Sequence, residues 1–200
     1  MTKNDQNDSI TIVSGLPRSG TSMMMQMIHA GGVPALTDGL RAADADNPRG
    51  YYEFEAVKKT KQNPSWLESA PGKVVKMVHV LLLDLPTDRP AGTYRVVFMK
   101  RNLLEVMASQ NKMLERLGKP MGDLPPERIM DVFTGQIAKV EQWMRDYSCF
   151  TSLVVQYNEL IKNPAPSVKA LNEFLGGRLD PDAMLKAVDP SLYRQRKAGT

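Results

Sequence analysis

Short apolar runs alternate with amphipathic segments along most of this chain, and polar positions gather in one long stretch between them. "ITIVSG" (Ile10–Gly15) is apolar, β-branched and closed by glycine, the pattern of a buried strand. "TSMMMQMIHAGG" follows with Met23, Met24, Met27 and Ile28 at helical spacing and Gly31 as a stop, so it predicts a helix whose methionines pack in the core. From Val33 to Gly72 the chain is rich in Asp, Asn, Pro and Gly, and a connection this long, with only short helical pieces, is more often functional than idle. "KVVKMVHV" and "YRVVFMK" are the next two strand candidates. "NLLEVMASQNKMLERLG" predicts an amphipathic helix with Asn102 as N-cap, Glu105 as its capping-box partner and Gly118 at the end. A second long helix begins near Pro125 or Pro126, "SLVVQYNEL" returns as a strand, and "APSVKALNEFLGG" and "DPDAMLKAV" close the chain as helices, the last capped by Asp180 with Pro181 in its first turn. Strands alternating with helices imply an α/β fold, a central and mostly parallel sheet covered on both faces in three α/β/α layers.

Composition narrows the class without naming a chemistry. Two hundred residues suggest a single domain over 1–200 with a real core, preceded by a polar, flexible N-terminus at 1–9. Hydrophobic content of 42% and charged content of 24% are ordinary for a globular protein. A net charge of +4 favours phosphorylated small molecules, but no basic tract argues for nucleic acid, so none is expected as a partner. The single cysteine, Cys149, excludes an internal disulfide, and Val155 excludes a Cys-x5-Arg phosphatase loop, leaving a buried thiol. No signal-peptide pattern precedes "ITIV" and no run approaches the roughly 18 apolar residues of a membrane span, so the expected location is cytoplasmic. The oligomeric state is left open.

The chemistry concentrates in "SGLPRSGTSMMMQ" (Ser14–Gln26). Strand, glycine turn and helix place unpaired N–H groups and a partial positive charge at one point, which favours an oxyanion. Ser19, Gly20, Thr21 and Ser22 would supply N–H groups, with hydroxyls from Ser19, Thr21 and Ser22. The spacing Gly15-x-x-x-x-Gly20 suits a phosphate cradle, yet Thr21 stands where an NTPase loop has Lys, and the loop's cation is Arg18. "VHVLLLD" imitates the strand-plus-acid of a magnesium site through Asp84, but that pattern is common by chance and the following "DLPTDRP" reads as a turn.

Pro17-Arg18-Ser19-Gly20-Thr21-Ser22 resembles, position by position, the 5′-phosphosulfate loop of the sulfotransferases, Pro-(Lys/Arg)-Ser-Gly-Thr-(Thr/Ser). The resemblance implies a P-loop NTPase-like sulfotransferase fold, 3′-phosphoadenosine 5′-phosphosulfate (PAPS) as cofactor, no metal, and Arg18 as the cation at the sulfuryl group. It extends to Arg101 and Ser109, which stand at the end of a strand with the family's spacing of eight and would hold the cofactor's 3′-phosphate; Leu103 departs from the family's Pro while Glu105 remains. "LVVQYNELIKNP" is similar to a later segment, in which Tyr157, Leu160 and Pro164 read as packing residues. Arg196-Lys197-Ala198-Gly199 faintly resembles an Arg-Lys-Gly element, which would make Arg196 a further 3′-phosphate contact. The likeness runs from about Ile10 to Pro164.

Sulfuryl transfer to an alcohol or amine also needs a base. Asn47-Pro48-Arg49-Gly50 has type I turn composition and delivers Tyr51, Tyr52 and Glu53 into the long connection. It resembles the Asn-Pro-x-Gly-Tyr-(Phe/Tyr)-Glu element of bacterial sulfotransferase-like sequences, which makes Glu53 the preferred base and Glu55 the reserve, unless Glu53 merely pairs with Arg41 or Arg49. His79 competes, through likeness to the Lys-Thr-His of the cytosolic branch. "KMVH" inserts one residue, however, which turns the side chain to the opposite face of a strand. Lys76 escapes that objection and could steady the transferring group; His29 reads as a helix C-terminal dipole partner. Tyr51, Tyr52, Phe54 and Trp66 could wall an acceptor pocket, for which the short chain favours a small molecule. Two other readings stand beside this one, a small-molecule kinase or other P-loop NTPase with a degenerate loop, and a nucleotide-binding protein without catalysis.

Overall fold

The apolar runs form four strands, β1 (Ile10–Gly15), β2 (Val74–Val78), β3 (Tyr94–Lys100) and β4 (Phe150–Gln156), hydrogen-bonded in the order β2-β1-β3-β4 with every pairing parallel. The computed structural model describes residues 8–44, 47, 50–119 and 124–193. Arg49, Arg196 and Lys197 lie outside the described residues. The helices are α1 (Thr21–Ala30), α2 (Leu103–Arg116), α3 (Pro126–Asp146), α4 (Tyr157–Lys162), α5 (Pro164–Phe174) and α6 (Pro181–Ala187).

Alternation along the strands builds two cores, one on each face of the sheet. Ile10, Ile12, Val96 and Phe98 point to one side and pack with Val140 and Met144 of α3 and with Trp66 and Leu67 of the long connection. Val13, Val97 and Met99 point to the other, where they meet the methionines of α1, Val168 and Leu171 of α5, and Met184 of α6. Met23, Met24, Met25 and Met27 are all buried, so α1 is apolar nearly all round rather than on one face. In register, Gly15 lies opposite Val78 on one side and Met99 on the other, so the carboxyl ends of β1, β2 and β3 stop at one level. In open parallel sheets that edge is where ligands bind.

Several boundaries differ from the sequence reading. β2 stops at Val78, and His79–Asp84 turns into a 3-10 segment. Between Val33 and Gly72 the only helical pieces among the described residues are the 3-10 segments Glu55–Lys59 and Ser65–Ser69. Asn102 does cap α2, its side chain accepting from the N–H groups of Leu104 and Glu105, but the reciprocal capping box is replaced. Asn158 Oδ1 meets the Asn102 N–H at 3.4 Å, while the Glu105 carboxylate turns inward to Arg101. Asp180 caps α6 as expected. Ser9 is buried and its carbonyl accepts from Gly72, so order begins within the segment expected to be flexible. Cys149 is a buried free thiol, its pKa pushed up by burial. Among the described residues no helix is long and apolar enough to cross a membrane.

Candidate active site

The loop between β1 and α1 is shaped by two glycines and one serine. Gly15 has φ 147° and Gly20 φ 96°. A Cβ on Gly15 would lie 2.5 Å from the Met99 carbonyl oxygen, and one on Gly20 would lie 2.3 Å from Tyr157 Cδ2. Both positions therefore need glycine for conformation and for space. Ser19 closes the loop: its N–H and its hydroxyl both donate to the Leu16 carbonyl, at 3.1 and 2.7 Å. Both donors of Ser19 are therefore engaged inside the turn, and its side chain does not line the cavity described below. Gly20, Thr21, Ser22 and Met23 keep backbone N–H groups without a backbone partner among the described residues, as the first turn of a helix must.

Arg18 sits at φ 71°, a conformation uncommon outside glycine, and two neighbours hold it there. Its Nε donates to Ser109 Oγ at 2.9 Å, and its carbonyl accepts from Arg101 at 3.1 Å. Arg101 in turn donates through Nε to Glu105 Oε2 at 3.0 Å, with only 7% and 4% of the two side chains exposed. The guanidinium stacks over the Tyr157 ring at 4.6 Å. Glu105 Oε1 accepts from the Tyr193 hydroxyl at 2.7 Å, and Asn158 donates to the same carboxylate. Arg101 and Ser109 thus come together as the spacing predicts, but with Arg18 between them and with Arg101 braced by a buried carboxylate.

The long connection faces this loop across a cavity of about 450 Å³. Gly50 N–H donates to the Asn47 carbonyl at 3.1 Å, closing the expected turn and presenting Tyr51 and Glu53. The Tyr51 hydroxyl donates to Asp44 at 2.7 Å, and the Arg41 guanidinium lies 3.4 Å from the centre of its ring. Burial, then that hydrogen bond, pushes the Tyr51 pKa up to about 12. Glu53 accepts from Arg41 at 2.7 Å and has Lys76 at 3.6 Å and Lys58 at 3.9 Å, so the anticipated pairing with Arg41 is real and is part of a larger cluster. Lys76 also donates to the Tyr51 carbonyl, and burial brings its pKa down to about 8.

The structure sorts the remaining candidates. Arg18, Gly20, Thr21, Ser22, Glu53, Lys76, Arg101 and Ser109 line the same cavity, with Pro17 at the turn. His79 does not; it is buried with Nε2 3.0 Å from Gln136 Oε1 of α3, and burial lowers its pKa. Glu55 is exposed and paired with Lys58, outside the cavity lining. Asp84 ends the 3-10 segment, and among the described residues no group of acidic, histidine or cysteine side chains could hold a metal. Of the four aromatics, Tyr51 and Phe54 line the cavity. Trp66 is core, its Nε1 donating to Thr60 Oγ1, and Tyr52 packs against His29. His29 itself holds the Val33 carbonyl at the end of α1. Sequence reasoning missed Gln26, Lys58, Lys112 and Arg116 as cavity residues. The last two were legible: with Ser109 they fall at helical spacing on one face of α2. Gln26 is buried, and its Oε1 has no partner among the described residues.

An oxyanion cradle with an adjacent arginine, opposite a carboxylate set among cations, can hold a phosphoryl or sulfuryl group and take a proton from an incoming nucleophile. The sulfotransferase domain model matches residues 8–199. No curated protein matches the chain. Among solved structures, the sulfotransferase domain from the Synechococcus PCC 7002 olefin synthase is similar at TM-score 0.57 and 14% identity, over 100% of this chain and 92% of that one. A sulfotransferase from Alicyclobacillus acidocaldarius gives 0.53 and 14%, over 87% and 82%. Retinol dehydratase in complex with androsterone and inactive cofactor PAP gives 0.51 and 16%, over 92% and 64%. These likenesses carry the fold, three layers around a parallel sheet, and the domain match carries the family. The chain belongs to the sulfotransferase family and is a transferase of that fold.

Proposed function

We propose that this chain, acting as one domain, transfers a sulfuryl group from PAPS to a hydroxyl or amine of a small acceptor, without a metal ion. The observation that carries this reading is that the anion cradle and the Glu53 cluster line one cavity. The residues fit the cofactor. The open N–H groups at the start of α1 and the Arg18 guanidinium suit a phosphosulfate, and Arg101 with Ser109 suits a second phosphate nearby. PAP accompanies the related fold in the retinol dehydratase complex, there with androsterone, a small molecule.

When bound, PAPS supplies the activated sulfuryl group. Thr21 and Ser22 offer hydroxyls beside the helix N-terminus, and Arg18 brings its charge to the departing phosphate oxygen. Glu53, oriented by Arg41, takes the proton of the acceptor. Lys76, largely buried beside Glu53, contributes charge toward the transferring group. Arg196 remains a proposed contact to the 3′-phosphate.

The test is release of adenosine 3′,5′-bisphosphate (PAP) from PAPS across a panel of small alcohols and amines. Glu53→Gln is expected to lower kcat by roughly 10²- to 10⁴-fold, the usual contribution of a general base. A larger loss in His79→Gln than in Glu53→Gln would contradict the assignment of the base.

A further inference from the structure

Beyond α6 the chain turns back toward the cofactor side of the cavity. The start of α6 is tied to the end of α1, the Asp180 N–H donating to the Gly31 carbonyl at 3.0 Å. A 3-10 turn at Pro190–Leu192 follows, capped by the Asp189 side chain, and delivers Tyr193. Tyr193 is partly buried, its ring edge-on to Tyr157 with the centres 5.6 Å apart. The Arg101 guanidinium lies 5.4 Å from the centre of that ring and 4.6 Å from that of Tyr157, so it meets two tyrosines at once.

The Tyr193 hydroxyl does more than fill space. Glu105 Oε2 accepts from Arg101 Nε at 3.0 Å, and Oε1 accepts from the Tyr193 hydroxyl at 2.7 Å. Asn158 Nδ2 donates to the same carboxylate at 3.1 Å and to the Tyr193 oxygen at 2.8 Å. A carboxylate held at both oxygens cannot turn, so the Arg101 guanidinium is fixed in orientation as well as in place. Burial, then the hydrogen bond to Glu105, raises the Tyr193 pKa, which keeps the hydroxyl protonated and donating. Arg101 lines the cavity together with Ser109, whereas Tyr193 does not, so Tyr193 reaches a ligand through Arg101.

We infer that Tyr193 is a positioning residue for the 3′-phosphate of the nucleotide, holding Arg101 in its working orientation through the Glu105 carboxylate. The inference rests on the sulfotransferase reading above, in which Arg101 and Ser109 take that phosphate. Its signature is selectivity. In the same reading the 5′ end of the nucleotide belongs to the α1 N-terminus and to Arg18, whose Nε keeps its own bond to Ser109. Loss of the Tyr193 hydroxyl therefore weakens binding of a nucleotide that carries a 3′-phosphate and spares one that lacks it. A tyrosine that served packing alone would affect both alike.

The experiment is a calorimetric titration of the full chain with PAP and with adenosine 5′-monophosphate, which differs from PAP in lacking the 3′-phosphate. Tyr193→Phe keeps the ring and removes the hydroxyl. It is expected to bind PAP roughly three- to tenfold more weakly than the unaltered chain, while affinity for the monophosphate changes less than about twofold. In a Glu105→Ala background the same substitution should add less than about twofold, because its route to Arg101 is already gone. In an Arg196→Ala background it should keep its full effect, which separates Arg101 from the basic residues that follow Tyr193 in the chain. Unchanged PAP affinity in Tyr193→Phe, equal losses for the two nucleotides, additivity with Glu105→Ala, or an effect that vanishes with Arg196→Ala would each overturn the inference and leave the cofactor reading standing. Failure of the unaltered chain to bind PAP would overturn both.

Discussion

Removing the Glu105 carboxylate is expected to damage stability and the cofactor site together. In Glu105→Ala, Arg101 loses a carboxylate 3.0 Å from its Nε in a place where only 7% of its side chain is exposed. The Tyr193 hydroxyl and the Asn158 amide lose an acceptor at the same time. Breaking a buried pair from one side costs about 3–5 kcal/mol, and water entering from the adjoining cavity favours the lower end, about 3 kcal/mol. With a urea slope of about 2 kcal/mol per M, the midpoint should fall by about 1.5 M. Unfolding can be followed by fluorescence of Trp66 and Trp143, and PAP affinity by calorimetry. Because Arg101 also holds the Arg18 carbonyl, PAP binding should weaken under conditions where the variant is still folded. The Arg101→Met/Glu105→Leu pair should be more stable than the sum of the single changes predicts, since neither charge is then left buried alone. A stability loss below about 1 kcal/mol in Glu105→Ala, or additive single and double variants, would refute this account of the network.

Gly20→Ala places a Cβ 2.3 Å from the Tyr157 ring at φ 96°, so a loss of at least about 2 kcal/mol, or about 4–8 °C in Tm, is expected by calorimetric melting. Gly32→Ala, also at positive φ but with nothing within 4 Å, should cost only about 1–2 kcal/mol and serves as the comparison. Lys76, held at about 8 instead of 10.5, gives up its proton in the folded chain first. Between those values the unfolded chain binds the extra proton, so the Lys76 contribution to stability rises with pH across that window. Sulfuryl transfer should decline above about pH 8 as Lys76 becomes neutral, and Lys76→Arg should move that decline to higher pH in a pH–rate profile. Trp66→Phe removes the Nε1–Thr60 hydrogen bond and should cost about 1 kcal/mol in urea unfolding with acceptor KM little changed.

Much of the fold was legible because periodicity and punctuation agreed. Ile10–Gly15 and Thr21–Ala30 emerge with the bounds that "ITIVSG" and the methionine-rich helix imply, and Asp180 caps where expected. The misreadings came where tertiary partners outbid local ones. Glu105 has the capping-box position, but Arg101, Asn158 and Tyr193, distant in sequence apart from Arg101, offer a buried charge-assisted network instead. The hydrogen bonds from Ser19 to Leu16 were likewise not legible, because the motif shows the residue and not the turn that engages both of its donors. Trp66 lies in an irregular stretch, and nothing in that stretch says whether an aromatic faces the core or a cavity; the hydrogen bond to Thr60 decides it. The inserted residue before His79 was a local clue to a change of face, and the side chain is indeed buried against Gln136 of α3 and outside the cavity lining.

The central claim is that the Ser14–Gln26 loop holds a sulfated nucleotide rather than a triphosphate. Calorimetric titration of the chain with PAP and with ATP, each with and without Mg²⁺, tests it directly. PAP should bind equally well with and without Mg²⁺, more tightly than ATP, and at least tenfold more weakly in Arg101→Ala. Binding that requires Mg²⁺ and prefers ATP would contradict it.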